Sequence, residues 1–121
     1  MSASLIVDVS DLVGHPERRR EFVGRNPVSL RLGDTVIDGP MQVEGEVKGA
    51  IDGVLARFTV SAEGHFVCAR CLIAWDETVD ATGSQYFGKT PDEDGYAIED
   101  RSIDVAGPAI DELALAMPAA P

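Results

Sequence analysis

Cysteine is nearly absent from this 121-residue chain: there are two, both in the stretch FVCARCLIAW that runs from Phe66 to Trp75. Two cysteines make no disulfide framework of the kind that holds small secreted domains together. Aromatic residues are also scarce, at 6%, so the core must come mainly from Val, Ile, Leu and Ala. Basic residues are outnumbered, 10 against 21, which leaves a net charge of -11. That balance excludes a general binder of nucleic acid or of anionic membranes, because a polyanion is repelled unless basic residues cluster locally. No apolar run approaches the ~20 residues of a membrane-spanning helix. The early SLIVDV is too short for a signal-peptide core, is broken by Asp8 and has no basic residue ahead of it. A cytoplasmic location is the expectation.

What is present suffices for one domain, residues 1–121, since 45% of the residues are hydrophobic. The charge is unevenly spread. Up to Trp75 there are 8 basic against 10 acidic residues, and from Asp76 onward 2 against 11. An anionic partner therefore has its best chance in the first half, where Arg18, Arg19, Arg20 and Arg25 form the one basic cluster. These four are the candidate RNA- or anion-binding residues; a solvated charge run is their ordinary alternative.

The pattern along the chain is mostly that of strands. Leu5–Val9 is a short β-prone run, GHPERRREFVG is a polar excursion compatible with a helical turn at Pro16, and VSLRL alternates from Val28 to Leu32. GDTVIDGP is loop-like, with a small apolar island at Val36 and Ile37. From Met41 to Gly49, Met41, Val43 and Val47 share one face and Gln42, Glu44, Glu46 and Lys48 the other, the mark of a half-buried strand. Asp52-Gly53 suits a tight turn. Val54, Ala56, Phe58, Val60, Ala62, Gly64, Phe66 and Cys68 then keep one register, and after Ala69-Arg70 the phase switches to Cys71, Ile73, Trp75, Val79 and Ala81. Strands are thus predicted over Met41–Gly49, Val54–Val67 and Leu72–Tyr86, with Cys68 and Cys71 facing each other across a two-residue hairpin loop. Residues 89–101 read as an acidic loop. Residues 107–117 read as an amphipathic helix, with Pro108, Asp111 and Glu112 suited to its start and Pro118 to its end. The fold class is α+β and β-dominated: an antiparallel meander sheet or partial barrel with a C-terminal amphipathic helix.

C-A-R-C has the spacing of a thioredoxin-type redox pair, but that chemistry needs the first thiol at a helix N-terminus, and strand patterns flank it here. On a hairpin tip it is half of a zinc ribbon, which needs four ligands. His65 lies in the register opposite Cys68, and His15 sits in a loop. Zinc therefore requires ligands beyond Pro121 or from another chain, and no cofactor is certain. For this chain alone the simplest account is two small core thiols. No phosphate-cradling glycine loop and no local Ser, His and Asp arrangement indicates catalysis. Neither an enzyme nor a small-molecule substrate is expected.

A β-rich chain with an early DLVGHPERRREF, a hairpin ending in CARCL, an acidic loop and then IDVAGPAIDELALAMP resembles the YceD family, the large ribosomal RNA subunit accumulation proteins, and most resembles its actinobacterial branch. VCARCL and DELALAMP carry the specific part of the likeness. The resemblance implies a non-enzymatic role in ribosome biogenesis. It also implies that Cys68 and Cys71 match the first pair of a two-pair zinc site, whose second pair would begin where this sequence stops. The expected partner is a basic ribosomal or assembly protein rather than bare RNA. A zinc- or thiol-dependent regulator using Cys68 and Cys71 is one alternative, and a general protein-interaction domain is another.

Overall fold

The computed structural model describes residues 5–33, 35–67, 70–88 and 96–116. Four long strands dominate it: β2 (Arg19–Leu32), β3 (Thr35–Gly49), β4 (Gly53–Val67) and β5 (Ala74–Gly88). They form an antiparallel meander in the order β2-β3-β4-β5, and a separate two-stranded sheet pairs β1 (Ile6–Asp8) with β6 (Ser102–Asp104). The main sheet is not closed into a barrel, because β2 and β5 lie at its two edges without pairing. One helix, α1 (Ala106–Ala116), follows β6.

Alternation explains which face is buried. Met41, Val43 and Val47 of β3 and Val54, Ala56, Phe58, Val60, Ala62 and Phe66 of β4 are all buried, and they join Val79 and Phe87 of β5 in one core. That core also takes in Val7, Val9, Leu12, Ile103 and Val105 from the small sheet and its flanks, and Ala106, Ala109 and Leu113 from the helix. One row of the sheet reads Phe22, Gly45, Phe58, Gly83 across the four strands. Glycines alternate with rings along this row, and at Gly45 the backbone of β4 comes too close for a side chain. At Gly83 the space is taken by α1: an added Cβ would lie 2.6 Å from Cγ of Glu112.

The helix start is fixed by Asp104. Its Oδ1 accepts from the Ala106 N–H at 3.0 Å and from the Leu5 N–H at 2.9 Å, so one carboxylate caps the helix and ties it to the beginning of the chain. Pro108 sits in the first turn, where its missing N–H is no loss. The helix begins one residue before the predicted start, and the acid at its N-terminus is Asp104, not Asp111 or Glu112. The expected end, at Met117 and Pro118, lies outside the described residues, as do residues 89–95 of the acidic loop.

Three local expectations need correction. Pro16 and Glu17 form a turn rather than a helical start: Arg18 N–H bonds His15 O at 3.0 Å, and β2 begins at Arg19. Thr35–Pro40 is strand, not loop. Leu32 pairs with Thr35 around Gly33 at φ +61°, and the β3–β4 register slips between Ile37 and Gln42, where Gly39 adopts φ +93°. The β3–β4 turn is centred on Ile51-Asp52, closed by Ala50 N–H to Gly53 O at 2.9 Å, one residue earlier than Asp52-Gly53.

Candidate functional site

One face of the main sheet carries the helix, and the other is open. On the open face the strands curve around a shallow concavity of about 710 Å³ lined by Glu21, Val23, Glu44, Glu46, Arg57 and Thr59. Three carboxylates against one guanidinium give the hollow an acidic balance. Phe22, Val23 and Phe58 also line it, and Val23 is 77% exposed. At the floor of the hollow β3 and β4 come close at Gly45, where an added Cβ would run into Arg57 O and lie 2.7 Å from the Phe58 Cα.

The basic cluster does not act as one patch. Arg20 Nη2 lies 2.7 Å from Asp11 Oδ2, and its Nη1 donates to Asp8 O. Arg18 Nη1 donates to Asp11 O at 3.2 Å. Two of the four arginines therefore fasten the β1–β2 connection to the end of the sheet. The Arg20 hydrogen bond holds the Asp11 carboxyl below its ordinary range, and the Ser10 N–H does the same for Asp8. Arg19 points to the open face, 3.9 Å from Glu46 Oε1, an exposed pair that contributes little. Arg25 is exposed farther along β2, opposite Gln42. Of the four candidates, Arg19 and Arg25 share the open face but stand six residues apart on one strand.

The hairpin that carries the cysteines departs from expectation at its end. The last registered pair is Val67 with Ala74, so the connection is longer than the two-residue loop predicted between Cys68 and Cys71. Cys68 lies outside the described residues. Cys71 is exposed in a turn, with a free thiol. The faces were read correctly, because Phe66 lies opposite Trp75 and Ala62 opposite Val79. What the sequence reading missed is that Leu72 and Ile73 lie outside the sheet, in solvent. Two adjacent apolar residues beside strand alternation look like more strand.

A second missed feature is a charged rung beside this tip. His65 Nδ1 lies 2.7 Å from Asp76 Oδ1 on β5, and Nε2 lies 3.6 Å from Asp38 Oδ1 on β3. The Asp76 hydrogen bond, helped by the Asp76, Asp38 and Glu63 charges, raises the His65 pKa above 6.5. The two aspartates approach opposite ring nitrogens rather than a common point. Among the described residues, no group of three or more His, Cys, Asp or Glu side chains is arranged to hold a metal ion. No helix among them is long and apolar enough to cross a membrane. No protein-family model, no curated protein and no solved structure matches this chain.

Proposed function

We propose that this chain is a non-enzymatic accessory factor in the accumulation of large-subunit ribosomal RNA, acting in the cytoplasm by engaging a basic protein rather than bare RNA. The family resemblance of VCARCL and DELALAMP supports the ribosomal context. The observation that carries the choice of partner is the acidic concavity: Glu21, Glu44 and Glu46 line it against Arg57 alone. Such a surface attracts cationic proteins and raises their association rate, while it repels phosphates. Arg18 and Arg20, two of the four candidates for phosphate contact, already bond to Asp8 and Asp11. The test has two parts. Depletion of the protein in its source cell should lower 23S-type large-subunit RNA relative to small-subunit RNA, and purified chain should bind basic large-subunit proteins more tightly than RNA. An unchanged RNA ratio on depletion would defeat this reading.

Regulation through zinc or thiol chemistry at Cys68 and Cys71 has one observation in its favour, the exposure of Cys71. Mass spectrometry after mild oxidant treatment tests it: a regulatory thiol is modified at low oxidant and changes partner binding.

A further inference from the structure

Past the pair of Val36 with His65, the β3–β4 ladder has ended, and the last rungs of the β4–β5 hairpin stand as two strands alone. Its end carries Leu72, 76% exposed, Ile73, 62% exposed, and Trp75, 45% exposed. Three large apolar side chains within four positions are an unusual concentration for a surface and mark a place of contact. A second observation is independent of exposure. Leu72 holds φ +58°, the left-handed region that bulky side chains avoid, and its side chain stays mostly in solvent there. A strained backbone and an exposed apolar side chain thus coincide at one residue.

We propose that this hairpin tip is a docking finger, inserted into an apolar cleft on a basic protein. The choice of occupant comes from charge. Behind the apolar end lie Asp38, Glu63, Asp76 and Glu77 against Arg70, His65 and, two strands away in the row of His65, Arg31, and His65 is already engaged by Asp76 and Asp38. An apolar point with an acidic collar complements an apolar pocket with a basic rim. A second copy of this chain would bring the same collar and a net charge of -11. Anionic lipid and RNA meet the same repulsion. The docking finger rests on the reading of the partner as a basic protein and adds the surface that contacts it.

The test places a photo-crosslinking benzoylphenylalanine at Leu72 in living cells, with Leu115, an equally exposed leucine on α1, as the control position. The adduct is identified by mass spectrometry, and that protein is purified and titrated with wild type, Ile73→Asp and Leu72→Asn. The expected result is a protein of net positive charge trapped from position 72 and not from 115. Its Kd should rise at least about tenfold with Ile73→Asp, as for a central apolar anchor, and its association should slow as salt rises. Leu72→Asn suits the left-handed backbone, so it should raise the melting temperature while weakening binding, which separates lost contact from lost folding. The proposal is overturned by an adduct with a second copy, a lipid or RNA, by equal adducts or none from the two positions, or by Ile73→Asp binding within about twofold of wild type. The two readings fail separately. A trapped basic protein with no part in ribosome assembly keeps the finger and removes the ribosomal role. Full rescue of large-subunit RNA by Ile73→Asp keeps the role and removes the finger.

Discussion

The buried ring of Phe66 and the half-exposed indole of Trp75 lie stacked across β4 and β5, their centroids 5.5 Å apart and their planes 16° from parallel. Phe66 is the last core residue of β4, so the stack joins the core to the two-stranded end of the hairpin. Phe66→Ala should cost about 3 kcal/mol, as for other buried rings. Trp75→Ala should cost about 1 kcal/mol, because much of its surface is in water already. In a double-mutant cycle followed by urea unfolding, the coupling should be about 1 kcal/mol. Strictly additive losses would mean that the stack does not hold the tip.

Gly45 and Gly83 occupy the same row of the sheet, but they should not tolerate alanine equally. At Gly45 the new methyl group meets backbone, Arg57 O and Phe58 Cα, which cannot move without distorting β4. At Gly83 it meets Glu112 Cγ and Cδ, the far part of a flexible side chain that can swing aside. Gly45→Ala should therefore destabilise by about 3 kcal/mol or more, and Gly83→Ala by about 1 kcal/mol or less. Thermal unfolding of the two variants checks the order, and equal losses would show that Glu112 is as fixed as the backbone.

This contrast marks how much of the fold was legible beforehand. The second half of β3, from Met41, and all of β4 were plain because each alternates with one face buried, whereas β5 keeps the alternation but buries only Val79 and Phe87. Strand β2 was hidden by its own chemistry: it is an edge strand, and Arg19, Glu21 and Arg25 face solvent, so its first half carries little apolar signal. Val36 and Ile37 read as an island because Gly33 and Gly39-Pro40 punctuate both sides; the structure uses them as a turn and a bulge inside continuous strand. The hairpin end slipped by one pair. A loop between Cys68 and Cys71 would set His65 opposite Ala74, whereas the observed ladder sets it opposite Asp76. A slip of two residues preserves every face and changes every partner. Core membership could therefore be read, but the histidine–aspartate rung could not.

That rung gives the hairpin a pH dependence whose sign follows from His65. Its pKa is raised in the fold, first by the hydrogen bond to Asp76, so the protonated ring is favoured by folding. The stabilisation is fully present below the ordinary pKa of 6.5 and is lost as pH rises through the higher folded value. Hydrogen exchange at the amides of residues 63–66 and 75–78 should speed up from pH 6 to pH 8 beyond the intrinsic base-catalysed increase. His65→Gln should remove that excess and leave exchange in α1 unchanged. An excess that survives the substitution would assign the effect to another group.

Affinity for bare RNA should be weak, for reasons that the arginine contacts make specific. Each phosphate neutralised by a cationic side chain releases condensed counterion, so the salt dependence of binding counts contacts. With all four of Arg18, Arg19, Arg20 and Arg25 engaged on a single strand, the slope of log K against log salt would reach at most about 3 in magnitude. Arg18 and Arg20 must first leave Asp8 and Asp11, and Arg19 must leave Glu46, while Glu21 stands beside them on β2 and opposes the approach of phosphate. The slope for single-stranded RNA should thus be shallow and the binding marginal at physiological salt. A basic protein meets none of these obstacles, and its association should slow as salt screens the acidic face. Fluorescence anisotropy with labelled RNA across a salt series decides the matter. Tight binding that persists at moderate salt in the Arg18→Ala/Arg19→Ala/Arg20→Ala variant would place RNA recognition on a different surface and refute the electrostatic argument for a protein partner.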